Sequence, residues 1–310
     1  MAASPHGSDI GLLESLPGVG ERTRGIRPQA YSKVPAADVP VVRLSLIDQT
    51  EPFADPQAEN LFVLLRMARL HRRNGRALQL PLLPDPDVTA VIPAKNEEGS
   101  LGPIIEETRR YAGNVMVLDG RSTDRTREIA TRLGAPVIQD NGKGKGAALR
   151  QVASHIATPI MVFMDADGSH DPIDIPLLVA PIKQGLADHV TGSRLIGGSS
   201  ELHGGFDEFL RLAGSSFITY CINRRWKIRL SDSQNGFRAI RTEVFRALPL
   251  RENSTTIEME MIMQTLRRGF RMAEVPTHER TRVCGVSKIS LKKPRTWLAY
   301  GSCLARNLLA

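Results

Sequence analysis

From residue 88 onward the chain repeats one unit: a short apolar, β-branched run, then a polar cluster, then a stretch of helical periodicity. Val88 to Ile92 runs into Pro93-Ala94-Lys95-Asn96-Glu97-Glu98 and a helix over Ser100 to Tyr111. Val115 to Leu118 runs into Asp119, a turn over Gly120 to Asp124 and a helix over Arg125 to Leu133. Pro136 to Gln139 leads to Asn141-Gly142-Lys143-Gly144-Lys145-Gly146 and a helix from Ala147 to His155. The next run, Ile160 to Met164, breaks abruptly into Asp165-Ala166-Asp167-Gly168. Strands alternating with helices predict right-handed crossovers and an α/β fold with a mainly parallel central sheet flanked by helices. In such a sheet the strand C-termini share one edge, so the polar clusters converge there.

Side chains two apart on an extended segment point the same way, so Asp165 and Asp167 reach one spot past the strand end. Two such oxygens suit a hard divalent cation, Mg²⁺ or Mn²⁺, that fills its other positions with water and diphosphate oxygens. The plainer alternative is a turn capped by Asp. Asp119, closing its strand, is placed like the acidic residue that holds a ribose in mononucleotide-binding folds, while helix capping falls more naturally to Ser122 or Asp124. The glycines and lysines at 142 to 146 open a helix, which suits a phosphate, and Lys145 is the candidate cation; a flexible surface turn reads equally well. His170 either orients an Asp or is a hydrogen-bonded structural histidine.

With 41% apolar and 24% charged residues, the 310-residue chain has a soluble globular composition and no apolar run long enough to span a bilayer. Its three cysteines are far apart, which argues against a disulfide framework and for a cytoplasmic protein. The net charge of +8 favours anionic partners. Only 5% aromatic residues, not interleaved with basic ones, argue against nucleic acid. Residues 1–86 read as a partly disordered extension with a strand-like patch at Val41 to Ile47 and a basic amphipathic helix over 58–76, packed on the main domain or lying on a membrane surface. The prolines of Pro81 to Pro86 place a boundary near Asp87. Further helices are expected over Phe206 to Cys221, with apolar positions Leu210, Ala213, Phe217 and Cys221, and over Ile257 to Arg268, where Glu258 and Glu260 suit the helix dipole. The segment 291–310 predicts a basic amphipathic helix with Trp297, Tyr300, Leu304 and Leu308 on one stripe, suited to an anionic membrane surface. Nothing in the sequence speaks to oligomeric state.

Seven motifs now stand in order: Pro93-Ala94-Lys95-Asn96-Glu97, Leu118-Asp119-Gly120-Arg121-Ser122-Thr123-Asp124, Gly144-Lys145-Gly146, Asp165-Ala166-Asp167, Gly192-Ser193-Arg194, Asn235-Gly236-Phe237-Arg238 and Ser287-Lys288. Together they resemble glycosyltransferase family 2, and within it the dolichyl- and polyprenyl-phosphate mannosyl- or glucosyltransferases, over residues 87–290. The resemblance implies a GT-A fold with a Rossmann-like nucleotide-binding half and a metal-dependent, inverting hexosyltransferase. Its donor would be a nucleoside-diphosphate sugar of the GDP-mannose or UDP-glucose type, and its acceptor a polyprenyl phosphate at the cytoplasmic face of a membrane. It further implies that Pro93, Asn96, Glu97 and Asp119 line the nucleoside pocket and that Asp165 lies near ribose and metal, with Asp167 as principal metal ligand. Arg194, Arg238 and Lys288 would face the donor diphosphate and the acceptor phosphate. Gly120 and Ser169 stand where such enzymes often carry Asp and Gln. A family member with a hydroxyl acceptor is the alternative and would need a carboxylate base, for which Asp207 and Glu208 are the candidates. A non-catalytic nucleotide-sugar-binding protein is less consistent with the intact carboxylate pair.

Overall fold

The computed structural model describes residues 41–43, 84–200, 206–283 and 294–309. The helix expected over 58–76 and the side chains of Asp207, Glu208 and Lys288 lie outside what is described. The strands are β1 (Val41–Arg43), β2 (Asp85–Ala94), β3 (Ala112–Asp119), β4 (Val137–Gln139), β5 (Ile160–Phe163), β6 (His189–Ser193), β7 (Arg238–Arg241) and β8 (Met272–Pro276). They form one sheet in the order β1-β8-β6-β7-β5-β2-β3-β4. Neighbours pair in parallel except at β7, which is antiparallel to both β5 and β6. The mainly parallel sheet expected from the alternation is present, with one strand reversed. β2 begins at Asp85, inside the proline run read as a linker, because its register with β3 shifts between Asp85 and Thr89 and lets the strand pass Pro86.

The helices are α1 (Leu101–Thr108), α2 (Thr126–Arg132), α3 (Lys145–Val152), α4 (Ile175–Lys183), α5 (Arg194–Gly197), α6 (Phe206–Trp226), α7 (Thr242–Ala247), α8 (Ile257–Arg267) and α9 (Pro294–Leu309). Strand side chains alternate between two cores. Val88, Ala90, Ile92 and Val162 pack with Leu101 and Ile105 of α1 and Leu178 and Ile182 of α4. Val91, Met161 and Phe163 pack on the other face with Leu149 and Val152 of α3 and Ile257 and Met261 of α8. Each fully buried Leu, Ile or Val among them contributes about 1.5–3 kcal/mol. With both faces covered, the central strands are continuous apolar runs, which is why they stand out in the sequence.

A third core joins Ile218, Ile222 and Trp226 of α6, Ile262 and Leu266 of α8, and Cys303 and Leu304 of α9, with Tyr300 and Leu308 packed against it. This corrects two expectations. The α9 stripe of Tyr300, Leu304 and Leu308 turns onto the protein rather than outward, and in α6 the buried positions are Ile218 and Ile222 while Phe217 is exposed.

Because β7 is reversed, its start lies beside the end of β5, with Arg238 opposite Phe163. The loops leaving β2, β3, β5, β6 and β8 and the loop entering β7 therefore meet on one sheet edge.

Candidate active site

Beyond Phe163 the chain leaves β5 and bends through Asp165 to Asp171. His170, buried and stacked on Phe237 with ring centroids 4.9 Å apart, accepts the Asp165 backbone N–H at Nδ1 over 3.0 Å. The histidine thus fixes the first carboxylate through the backbone, as a structural residue. Ser169 donates from its hydroxyl (2.6 Å) and backbone N–H (3.0 Å) to Asp167 Oδ1. The segment after β8 lies over this loop: Arg280 N–H donates to Ser169 O, Val283 N–H to Asp167 O, and Arg282 pairs with Asp167 Oδ2 at 3.2 Å.

Lys145 Nζ sits between Asp165 Oδ1 at 2.8 Å and Glu258 Oε1 at 2.7 Å. Burial alone would raise the Asp165 pKa, but Lys145 more than offsets it and holds the carboxyl well below the usual range. Burial likewise opposes the Lys145 charge, and the two carboxylates hold its pKa above the ordinary lysine value. Lys145 reaches this position because Gly144 adopts φ +106° and Gly146 donates its N–H to Asn253 O at 2.9 Å. A Cβ on Gly146 would stand 2.2 Å from Glu252 O, so the glycines serve close backbone packing rather than an open phosphate cradle.

Two expected phosphate-facing cations are committed elsewhere. Arg194 grips both oxygens of Asp232 at 2.7 and 3.1 Å and reaches Glu279 at 3.4 Å. Arg238 is wholly buried, donating to the carbonyls of Asn235 and Glu258. Both stand beneath the loops as supports.

The nucleoside-side residues are brought together by cross-loop hydrogen bonds. Asn96, at φ +53°, donates its backbone N–H to Ser122 Oγ and accepts from Thr123 N–H with its side chain. Glu97 donates its backbone N–H to buried Thr126 Oγ1 at 2.9 Å. Ser100 ties this loop to the carboxylate loop through Ala166 O at 2.7 Å. Pro93 pairs with Leu118 in the sheet. Asp119, fully buried, accepts Ser122 N–H at 3.1 Å and lies 3.7 Å from Arg127 Nε, so it organises its own turn. Asp124 accepts the Thr126 N–H at the start of α2 at 3.0 Å, while the cap position itself falls on Arg125. Sequence reasoning missed Glu258, Arg282, Asp232 and Glu279. Only Arg282, six residues before Lys288 in a basic segment, carried a local signal.

The donor set fits a divalent cation. Asp165, Asp167 and Glu258 carry three negative charges against the two positive charges of Lys145 and Arg282, and Asp165 Oδ2 accepts no hydrogen bond from the described residues. No cluster of three His, Cys, Asp or Glu able to hold a metal occurs among the described residues. A cation there would complete its shell with water and substrate oxygens, as Mg²⁺ commonly does.

The sequence of residues 89–248 matches the family described as glycosyl transferase family 2. The chain belongs to that family. Glycosyltransferase AglJ of Haloferax volcanii is 32% identical over 198 residues, covering 63% of this chain and 64% of that protein, so the chain spans a little under two thirds of its length. A dolichyl-phosphate hexose transferase of the same organism is 30% identical over 203 residues, 63% of this chain and 84% of that protein. In fold, the family 2 chain is similar to glucosyl-3-phosphoglycerate synthase of Mycobacterium tuberculosis, solved with Mn²⁺, UDP-glucose and phosphoglyceric acid (TM-score 0.58, 22% identity, 71% of this chain and 79% of that one). The GT-A fold implied by the motifs is the fold observed.

Proposed function

We propose that this chain is an inverting hexosyltransferase. It would move a hexose from a nucleoside-diphosphate sugar of the GDP-mannose or UDP-glucose type to a polyprenyl phosphate, as a peripheral protein at the cytoplasmic membrane face. One observation carries the acceptor class: Asp165, Asp167, Asp171, Asp232, Glu258 and Glu279 each lie within 3.4 Å of a Lys or Arg nitrogen. At Asp165 and Asp232 burial alone would raise the carboxyl pKa, but Lys145 and Arg194 more than offset it, so these two are weak bases. A hydroxyl acceptor needs a positioned base, whereas a phosphate acceptor arrives anionic. The relative named as a dolichyl-phosphate hexose transferase supports the same reading.

In the transfer, an acceptor phosphate oxygen attacks the anomeric carbon as the bond to the donor diphosphate breaks. Asp165 and Asp167 would hold Mg²⁺ or Mn²⁺, whose charge stabilises the departing diphosphate. Lys145 and Arg282 are the cations beside those carboxylates, and Lys288, in the segment that follows, is the proposed partner of the acceptor phosphate. Asn96, Glu97 and Asp119 shape the nucleoside end of the site. Arg194 and Arg238 hold the loops in place.

A hydroxyl acceptor is the second reading; the solved relative holds phosphoglyceric acid, and Asp207 or Glu208 would have to act as base. Incubating the protein and Mn²⁺ with each nucleoside-diphosphate hexose and a short polyprenyl phosphate, with product read by mass spectrometry, tests the proposal. A hexosyl-phosphate lipid is the expected product, and its absence with every donor overturns the proposal.

A further inference from the structure

α6 and α9 lie side by side, parallel and in register. The Trp297 indole lies against Gly214, where an added Cβ would stand 3.4 Å from the ring, and eleven residues further along both helices Arg225 Nε donates to Leu308 O at 3.3 Å. Both contacts join residues 83 apart in sequence. The inner faces of the two helices fill the third core, so what remains outward is not spare core. On α6 the outward stripe is Ala213, Phe217, Tyr220 and Arg224, at the i, i+4, i+7, i+11 spacing of one helix face. On α9 the matching stripe is Leu298, Ser302, Ala305 and Leu309. Phe217 and Tyr220 are each 63% exposed, Leu298 70% and Trp297 45%. Phe217 is one turn beyond Gly214, the α6 residue that meets the Trp297 ring.

Beyond the opening Asp207 and Glu208 of α6 the two segments that carry this row are basic, with Arg306 paired to Glu252. Leu210 to Leu230 contains Arg211, Arg224, Arg225, Lys227 and Arg229 and no Asp or Glu, and Arg295 to Leu309 contains Arg295 and Arg306 and no Asp or Glu. A second copy docking through the same face would set these cations against their equals, which is unfavourable. An anionic lipid surface instead supplies negative charge to the rim and an interfacial medium to Trp, Tyr, Phe and Leu. No helix among the described residues is long and apolar enough to cross a membrane, so the contact is with the surface. The row also adjoins the site. Tyr300, one turn after Trp297, hydrogen-bonds Thr255 Oγ1 through its hydroxyl at 3.1 Å, and Cys303 Sγ donates to Thr256 O, two residues before Glu258.

We propose that the outward row of Phe217 and Tyr220 on α6 with Trp297 and Leu298 on α9 docks the protein on an anionic phospholipid surface, holding the Asp165 loop cluster next to the bilayer. The inference rests on the lipid-phosphate acceptor proposed above, and its test therefore uses vesicles that contain none. The full chain is sedimented with phosphatidylserine-containing and pure phosphatidylcholine vesicles over a salt series, beside a Phe217→Ser, Leu298→Ser double variant whose folding is checked by thermal melting. The expected results are pelleting with the anionic vesicles only, release by salt, and a partition coefficient lowered at least about tenfold in the variant, as removing two apolar anchors from the interface demands. Failure of the wild type to pellet, or unchanged pelleting of a folded variant, overturns the proposal. So does a wild-type dimer in sedimentation velocity that the two substitutions dissociate, which would make the face a contact between copies. A wild type that does not pellet yet transfers hexose to a short-chain polyprenyl phosphate sinks the docking surface and leaves the acceptor standing; a wild type that pellets without any such transfer does the reverse.

Discussion

Asp232→Asn separates a supporting Arg194 from one kept for substrate. Arg194 makes hydrogen bonds to both Asp232 oxygens at 2.7 and 3.1 Å, with its side chain 17% and that of Asp232 2% exposed. Burial opposes the Arg194 charge and Asp232 more than offsets it. Asn keeps the shape but removes the charge and turns one acceptor into a donor facing a guanidinium. Breaking a buried pair by removing one partner costs about 3–5 kcal/mol. Glu279 still faces Arg194 at 3.4 Å, so the lower end, about 3 kcal/mol, is expected. At about 2–4 °C per kcal/mol for a domain of this size, Tm falls by about 6–12 °C. Arg194→Lys, which keeps the charge and loses the fork, should cost about half as much. Thermal melting measures the shift, and hexose transfer per folded molecule well below Tm should stay within a few-fold of wild type. A Tm change below about 1 °C together with lost transfer would refute the reasoning and return Arg194 to a substrate phosphate.

Asp167→Asn should leave the unliganded Tm within about 2 °C, since Ser169 and the Val283 backbone still hold the loop, yet abolish the stabilisation that Mn²⁺ with a nucleoside diphosphate gives the native state. An undiminished ligand-induced shift in that variant would contradict the metal assignment. Burial pushes Glu274 up to about 7 although it accepts N–H bonds from Ser231 and Asp232. Between its unfolded value near 4.5 and about 7 the folded state binds the extra proton, so this group's contribution is full below that window and falls by about 3 kcal/mol as pH rises through it. The stability of wild type relative to Glu274→Gln, from urea titrations at pH 5 to 8, should fall by about 2.5 kcal/mol as pH rises; a pH-independent difference would contradict it. His189, held low by burial and by Arg238, shifts in the opposite sense but is common to both proteins and cancels.

The first half of the fold was readable because its signals are local. Val88 to Ile92 and Ile160 to Phe163 are buried on both faces and so show as continuous apolar runs, and the carboxylates that follow mark the strand end without any tertiary knowledge. β7 was not readable. Its four residues, Arg-Ala-Ile-Arg, look like a polar turn, and their burial comes from pairing with β5 and β6 rather than from composition. The same distance effect hid the roles of the charged groups. Arg238 reads as a free cation, but it is buried against the carbonyls of Asn235, three residues before it, and Glu258 of α8, and Glu258 reads as a helix-start acid until Lys145, 113 residues away, meets it. α9 showed its amphipathic stripe, but periodicity cannot say whether such a stripe meets lipid or another helix, and here Leu304 meets α8.

The most direct test of the account is the specificity constant for hexose transfer to a short polyprenyl phosphate against the matching polyprenol, measured with wild type, Asp207→Asn and Glu208→Gln. The phosphate should be the substrate and each variant should keep most of the rate, because an anionic nucleophile needs no base. Turnover of the alcohol but not the phosphate, with a loss of 10²- to 10⁴-fold on removing one of those two carboxylates, would show general-base catalysis and contradict the polyprenyl-phosphate acceptor.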